Sequence, residues 1–265
     1  MPIKQFWLDY VGNKYRESKY IDEINIDWDK YDTIVEPFGG TFGFSRWLWD
    51  KKGMKNKRYV VYDSDQRIIN FYQVIKEKLK DGTYDEFMKS FDDLKEPTEA
   101  LPRNARGVIN SKGRKELCKT LEEPLKTWYY YNVVLNRSMW DFKPKKILGY
   151  EPMMEQVIFI NKKFTEISWD GYDLSRTLIY LDPPYLDSFN TNYKGEDEAF
   201  NPVVSGILKL FDEKKANVML VHCENPLLDY ILKPYIACSY GKTYGFTKRK
   251  AVHKVYYSES PTAPK

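Results

Sequence analysis

The sequence predicts an α/β fold on a largely parallel sheet, with a second lobe inserted into it. Three observations carry that prediction. Short β-branched and aromatic runs alternate with helical stretches, the pattern of βαβ units. The interval from about Asp81 to Met154 is far longer than an ordinary crossover and contains Pro97, Pro102, Pro124 and Pro144. One buried strand also ends directly in Asp182-Pro183-Pro184-Tyr185, where open α/β sheets bind their ligands.

The elements follow in order. Thr33–Glu36 reads as a first buried strand, ending in the loop Pro37–Gly43, and Phe44–Lys51 begins a short helix. Arg58–Tyr62 is a second strand that stops at Asp63-Ser64-Asp65. The helix after it, from about Gln66 to Lys80, sets Ile68, Ile69, Tyr72 and Ile75 on one face. Within the long interval, Leu125–Asn136 reads as an aromatic helix. Val157–Ile160 and Phe164–Ile167 look like short strands, Thr177–Leu181 and Asn217–Val221 like buried ones, and Ala251–Tyr257 like a late edge or hairpin strand.

Composition narrows the chemistry. Of 265 residues, 42% are hydrophobic and 30% charged, which suits a globular chain with a substantial core. No apolar run approaches the roughly 18 residues that span a bilayer, so no membrane association is expected. Met1–Tyr10 lacks the basic-then-apolar layout of a signal peptide. His222 and His253 are the only histidines, and Cys118, Cys223 and Cys238 are unpatterned. A zinc site, a Ser-His-Asp triad or a Cys-His pair has little raw material, and no metal is expected. The cysteines read as small buried thiols of a reducing compartment.

The net charge is only +4, but its distribution is uneven. Leu101–Thr120 holds six basic residues against one acid, and Ser239–Ser258 holds five with no acid. Aromatics lie in or near both stretches. Basic plus aromatic is the composition of surfaces that hold phosphates and stack bases; solvated charge and core aromatics are the alternative.

Two successive prolines after a strand remove two N–H donors and present free carbonyls on a stiff loop. Beside them Asp182 is an acceptor, and Tyr185 supplies a ring. Such a corner can grip an amino group by two N–H bonds and stack the ring that bears it. Gly39, Gly40 and Gly43 let the backbone turn sharply and approach a ligand, although their spacing matches neither a phosphate loop nor a dinucleotide fingerprint. Asp63, 24 residues beyond Gly39 at the end of the next strand, can bind both hydroxyls of a ribose. Its alternative is a helix N-cap, a role Ser64 or Asp65 fills equally well.

These residues resemble a known family. Asp182-Pro-Pro-Tyr185 is similar to the catalytic motif of amino-methyltransferases and, with Asp first, to that of the adenine-N6 DNA methyltransferases. Tyr10-Val-Gly-Asn-Lys14 resembles the aromatic-x-Gly-x-Lys opening of the Dam-type (D12 class) enzymes. Glu36-Pro-Phe-Gly-Gly40 resembles their Glu-Pro-Phe-x-Gly cofactor loop, and Tyr62–Tyr72 their strand-end acid with its following helix. The order of cofactor loop, long insert and Asp-Pro-Pro-Tyr is similar to the family's α group. Two positions depart from the pattern: the loop's last glycine, Gly43, comes one residue late, and Ser64 stands where an apolar residue is common.

The resemblance implies a Rossmann-like S-adenosylmethionine-dependent methyltransferase core over 1–80 and 155–258. It also implies a mainly helical target-recognition insert over 81–154; the two prolines and small polar residues of 259–265 predict a mobile tail. Asp182, Pro183, Pro184 and Tyr185 are the implied catalytic residues. Tyr10, Lys14, Glu36, Phe38, Gly39, Gly40, Asp63, Ser64, Phe164 and Asp182 are the implied cofactor contacts. Among them, Glu36 would receive the cofactor's amino end, Lys14 its carboxylate, and Phe164 its adenine. Lys112, Arg114, Asn136 and Arg137 in the insert, with Lys248 and Arg249, are the expected contacts to double-stranded DNA.

A monomer or weak dimer of the cytoplasm, or of the DNA-containing compartment of a virus-infected cell, is the expected setting. Where the enzyme belongs to a restriction–modification pair, a cognate endonuclease acts on the same site. Two other readings use the same residues: adenine in RNA as substrate, and a catalytically silent DNA-binding scaffold. The intact Asp-Pro-Pro-Tyr argues against the second, which has no chemical need of it. A nicotinamide-dependent enzyme is disfavoured by the glycine spacing and the double proline.

Overall fold

The computed structural model describes residues 8, 14–92, 111–135, 151–184, 200–213, 216–243 and 250–260. In chain order its strands and α-helices are β1 (Thr33–Glu36), α1 (Gly43–Lys51), β2 (Arg58–Asp63), α2 (Gln66–Lys80), α3 (Tyr84–Asp92), α4 (Ser111–Thr120), α5 (Leu125–Tyr129), α6 (Glu151–Gln156), β3 (Ile158–Asn161), β4 (Thr177–Leu181), α7 (Phe200–Asp212), β5 (Asn217–Cys223), α8 (Pro226–Ile231), β6 (Ile236–Thr243) and β7 (Lys250–Tyr257). They divide into two compact units, residues 14–64 with 160–265, and residues 1–13 with 65–159.

The seven strands lie in the order β3-β2-β1-β4-β5-β7-β6. Strands β2, β1, β4 and β5 run parallel, and β7 is antiparallel to both β5 and β6. This is the Rossmann-like core that the resemblance implies. Strands β4 and β5 are buried along their whole length, as near-continuous apolar runs covered on both faces should be. Val35, Ile179, Leu181, Val218 and Leu220 pack there with Phe211 of α7 and Tyr256 of β7.

From β1 the chain passes to β2 on one side, and β4 later returns to pair on the other, so Ile34 aligns with both Tyr59 and Leu178. Strand order reverses between β1 and β4, and their carboxyl ends open a crevice. That reversal places the site.

Two expectations need correction, and a third is decided between its alternatives. Phe164–Ile167 is a 3-10 turn over Phe164–Glu166 rather than a strand. The Glu166 carboxylate accepts the Lys163 N–H at 3.2 Å, a local bond that competes with strand pairing. The helix foreseen from Leu125 becomes a π-helical turn at Tyr130–Leu135. Strand β7 takes the hairpin alternative rather than the edge: β6, which no sequence signal announced, pairs antiparallel outside it.

The second unit is helical. On α2, Ile68, Ile69, Tyr72 and Ile75 are buried as their spacing predicts, joined by Phe71. Tyr72 stacks on Phe159 at 5.1 Å between ring centroids, and Lys76 Nζ donates to the Val157 carbonyl at 2.9 Å. Helix α2 packs with the helices of the long interval, and one compact unit runs from Asp65 to Phe159.

Candidate active site

Three strand ends converge on the crevice, and each presents a carboxylate. At the end of β1, Glu36 is 3% exposed. Its Oε1 accepts the Ser45 N–H at 2.7 Å, in the first turn of α1 where the helix dipole favours a negative charge. Burial nevertheless pushes its carboxyl up to about 7; the bonds from Ser45 oppose that rise and the nearby Asp182 charge adds to it.

The loop after Glu36 is fixed by its main chain. Gly39 N–H donates to the Tyr62 carbonyl at 2.7 Å, and Phe42 N–H to the Gly39 carbonyl at 2.6 Å. A Cβ on Gly39 would meet Val61 Cγ1 at 2.2 Å and the Tyr62 carbonyl at 2.9 Å, so only glycine fits. Gly40 takes φ 48° and Phe42 φ 42°, both left-handed. This accounts for the late glycine: Phe42 occupies the left-handed position before α1, its ring wholly buried with the Arg46 guanidinium 5.8 Å from its centroid. Gly43 then simply begins the helix.

At the end of β2, Asp63 Oδ2 accepts the Gly40 N–H at 2.8 Å. The cap of α2 is Asp65, which accepts the Arg67 N–H at 3.0 Å. The N-cap alternative for Asp63 is thereby excluded. Ser64 is exposed. The Phe38 ring lies 5.2 Å from that of Phe164, and Phe164 seats against Gly206 of α7, where an added Cβ would come within 2.9 Å of the ring.

At the end of β4, Asp182 is half-buried, and its Oδ2 lies 2.7 Å from the Lys14 Nζ, a side chain only 5% exposed. Burial raises the Asp182 carboxyl above its usual range and Lys14 pulls it back. The resemblance assigns Lys14 to the cofactor's carboxylate; in the structure its ammonium lies on Asp182. Pro183 and Pro184 border a small apolar pocket with Ile207, Leu220, His222 and Leu228. His222 and Cys223 belong to β5 itself, and His222 Nδ1 sits 2.6 Å from the Cys223 carbonyl.

Lys112 is exposed on α4. Arg114 is 8% exposed and lies on the buried stripe of α4 with Gly113, Leu117 and Cys118. Its spacing to Leu117 and Cys118 was the signal for that face. The exposed charge of α4 comes from Lys112, Lys115 and Lys119. Tyr10, Tyr185, Asn136, Arg137, Lys248 and Arg249 lie outside the described residues. Glu17 and Lys242 were not anticipated: Glu17 Oε1 accepts from Lys242 Nζ at 2.5 Å and Oε2 from the Tyr240 hydroxyl at 2.9 Å. The only hint was the place of Glu17 three residues after Lys14.

Among the described residues no cluster of His, Cys, Asp and Glu gathers to hold a metal ion, and no helix is long and apolar enough to cross a membrane. A sequence model of the family described as D12 class N6 adenine-specific DNA methyltransferase matches residues 10–244. No curated protein matches the chain. Among solved structures it is similar to the rRNA methyltransferase aviRa from Streptomyces viridochromogenes, at 10% identity and a TM-score of 0.37, over 92% of this chain and 82% of that one.

Proposed function

The chain belongs to the D12 class N6 adenine-specific DNA methyltransferase family, and we propose that its chemistry runs in the crevice between the carboxyl ends of β1 and β4. The enzyme methylates adenine N6 in DNA and uses an S-adenosylmethionine-type methyl donor. The observation that carries the site is Asp182, held at the end of a wholly buried strand by Lys14 at 2.7 Å and followed by two prolines.

The residues of the β1 corner fit S-adenosylmethionine itself. Glu36 is a buried carboxylate whose raised pKa marks a place short of positive charge, which the donor's amino group supplies. Gly39 admits close approach of a ligand to the backbone, Asp63 meets the ribose hydroxyls, and Phe38 with Phe164 lines the adenine. Tyr10 and Ser64 complete this contact set. When bound, the donor supplies a methyl group already activated on a sulfonium.

The N6 lone pair is delocalised into the adenine ring and is a poor nucleophile. Asp182 Oδ1 and the Pro183 carbonyl accept the two N6–H bonds, favour a more tetrahedral nitrogen and stabilise the charge that develops on it. Pro183 and Pro184 keep that carbonyl in place because neither can donate to a competing partner. Tyr185 stacks on the base, which must leave the duplex to reach the pocket. In-line placement of N6 accounts for much of the rate.

Residues 81–154 select the sequence. Lys112, Asn136 and Arg137 contact DNA from that insert, and Lys248 and Arg249 hold the backbone from the other basic stretch. Unmethylated DNA incubated with labelled S-adenosylmethionine should acquire N6-methyladenine at one short motif. Asp182→Ala, assayed well below its melting temperature, should lower the rate by at least about 1,000-fold, as loss of a preorganised electrostatic group does. That melting temperature falls, because the buried Lys14 ammonium loses this partner. Normal turnover in that variant would overturn the site.

A further inference from the structure

We propose that Glu17 is a positioning residue for methyl transfer: it pins the turn that carries Lys14 onto the β6–β7 hairpin and, through Lys14, sets how Asp182 meets the N6 amino group. The proposal rests on the reading of Asp182 as the N6 acceptor.

The turn is built to hold Lys14 in one direction. Its carbonyl accepts three donors, the N–H groups of Glu17 at 3.1 Å and Ser18 at 2.8 Å and the Ser18 hydroxyl at 2.7 Å. Ser18 is 1% exposed. The residues that follow, Ser18–Glu23, form a 3-10 helix that docks on β6. There Tyr20 stacks on Tyr240 at 4.3 Å and 9° between planes, and the Cys238 thiol lies 3.6 Å from the Tyr20 carbonyl.

Glu17 is the polar bolt of that joint. Lys242 and Tyr240 of β6 each donate to one of its oxygens, and His253 Nδ1 of β7 lies 3.4 Å from Oε2. Its burial works to raise its carboxyl, but the charges of Lys14 and Lys242 and the bonds from Lys242 and Tyr240 outweigh it. Glu17 therefore stays ionised. Burial holds His253 down to about 4, so this imidazole is neutral at working pH.

The result is a series of alternating charges: Asp182, Lys14, Glu17, Lys242. A lone ammonium beside Asp182 would lower its basicity strongly. Glu17 draws on the same ammonium and moderates that effect, while Lys242 restrains Glu17 in turn. The other described groups facing Asp182 or its partners are Glu36 of β1, Tyr180 of β4, His222 of β5 and Tyr240 of β6.

Two substitutions pull the series in opposite directions, which simple loosening of the joint cannot do. Single-turnover methylation at saturating cofactor, from about pH 5 to 9, should show an acid limb where Asp182 takes up a proton. Glu17→Gln removes a negative charge that raises Asp182, and the limb should move down by about half a pH unit or more. Lys242→Gln removes a positive charge from the series, and the limb should move up by a similar amount. Cofactor affinity should stay within about twofold in both, since neither residue borders the β1 loop.

Limbs that coincide with the parent's, or that shift in the same direction, would overturn the proposal. If Glu17→Gln melts too low to assay, the direction of the Lys242→Gln shift decides alone. Asp182→Ala runs alongside. Turnover in that variant overturns the Asp182 reading itself, whereas a dead Asp182→Ala with unmoved limbs overturns only the role of Glu17.

Discussion

At the end of β1 the chain is held by its own main chain. Gly39 donates to the Tyr62 carbonyl, Gly40 to Asp63 and Ser45 to Glu36, at 2.7, 2.8 and 2.7 Å respectively. At the end of β4 two prolines leave no N–H to donate, and the acid is fixed by an ion pair with Lys14. The first corner depends on shape and the second on charge. The contrast suits their tasks: a methyl donor must be gripped in one pose, whereas an acceptor carboxylate must carry the right basicity. Each corner should therefore fail in its own way.

Gly39→Ala should break the first corner outright. Its Cβ would strike Val61 and the Tyr62 carbonyl, and relief costs about 2–3 kcal/mol, or about 100-fold in cofactor affinity. Equilibrium binding measures that loss directly. The single-turnover rate at saturating cofactor should fall far less than in Asp182→Ala. If both variants lose rate rather than affinity, the division between the corners is wrong.

A smaller effect lies in pH. The Glu36 carboxyl is raised to about 7, so in the free protein it is protonated below that point and ionised above it. Only the ionised form attracts the donor's cationic amino group. Cofactor dissociation constants should rise about tenfold per pH unit below 7 and level off above it. Glu36→Gln should bind weakly at every pH and lose the slope. A flat profile in the parent from about pH 6 to 8 would remove Glu36 from the contact set.

The mildest test is Gly206→Ala. Its Cβ meets the Phe164 ring at 2.9 Å, and the ring must shift toward Phe38. Cofactor affinity should drop about three- to tenfold with a loss of about 1 kcal/mol in stability. Thermal melts with and without S-adenosylmethionine separate the two, because a Phe164 that only packs would lower both melts equally.

Much of the sheet was legible because its signals are local. Strands β1, β2, β4 and β5 are apolar runs bounded by Pro, Gly or Asp, and α2 spans Gln66–Lys80 as its periodicity predicts. Strand β6 reads Ile-Ala-Cys-Ser-Tyr-Gly-Lys-Thr, with little alternation, because one edge of it faces solvent and its identity comes from pairing with β7. The burial of Arg114 follows from its face of α4, which the charge of a basic run does not report. The places of Glu36 and Asp63 were within reach, since each closes a strand.

The sequence by itself determined the parallel core, the position of Asp182 at a strand end and the family to which these motifs point. Each is carried by neighbours along the chain: apolar runs, fixed proline torsions and short motifs. Only the tertiary structure decided that Lys14 sits on Asp182, that Glu17 joins Lys14's turn to β6, and that Phe42 rather than a glycine takes the left-handed turn before α1. An ion pair or a strained residue is stable only through the burial and distances of its surroundings, and those exist only once distant segments have packed.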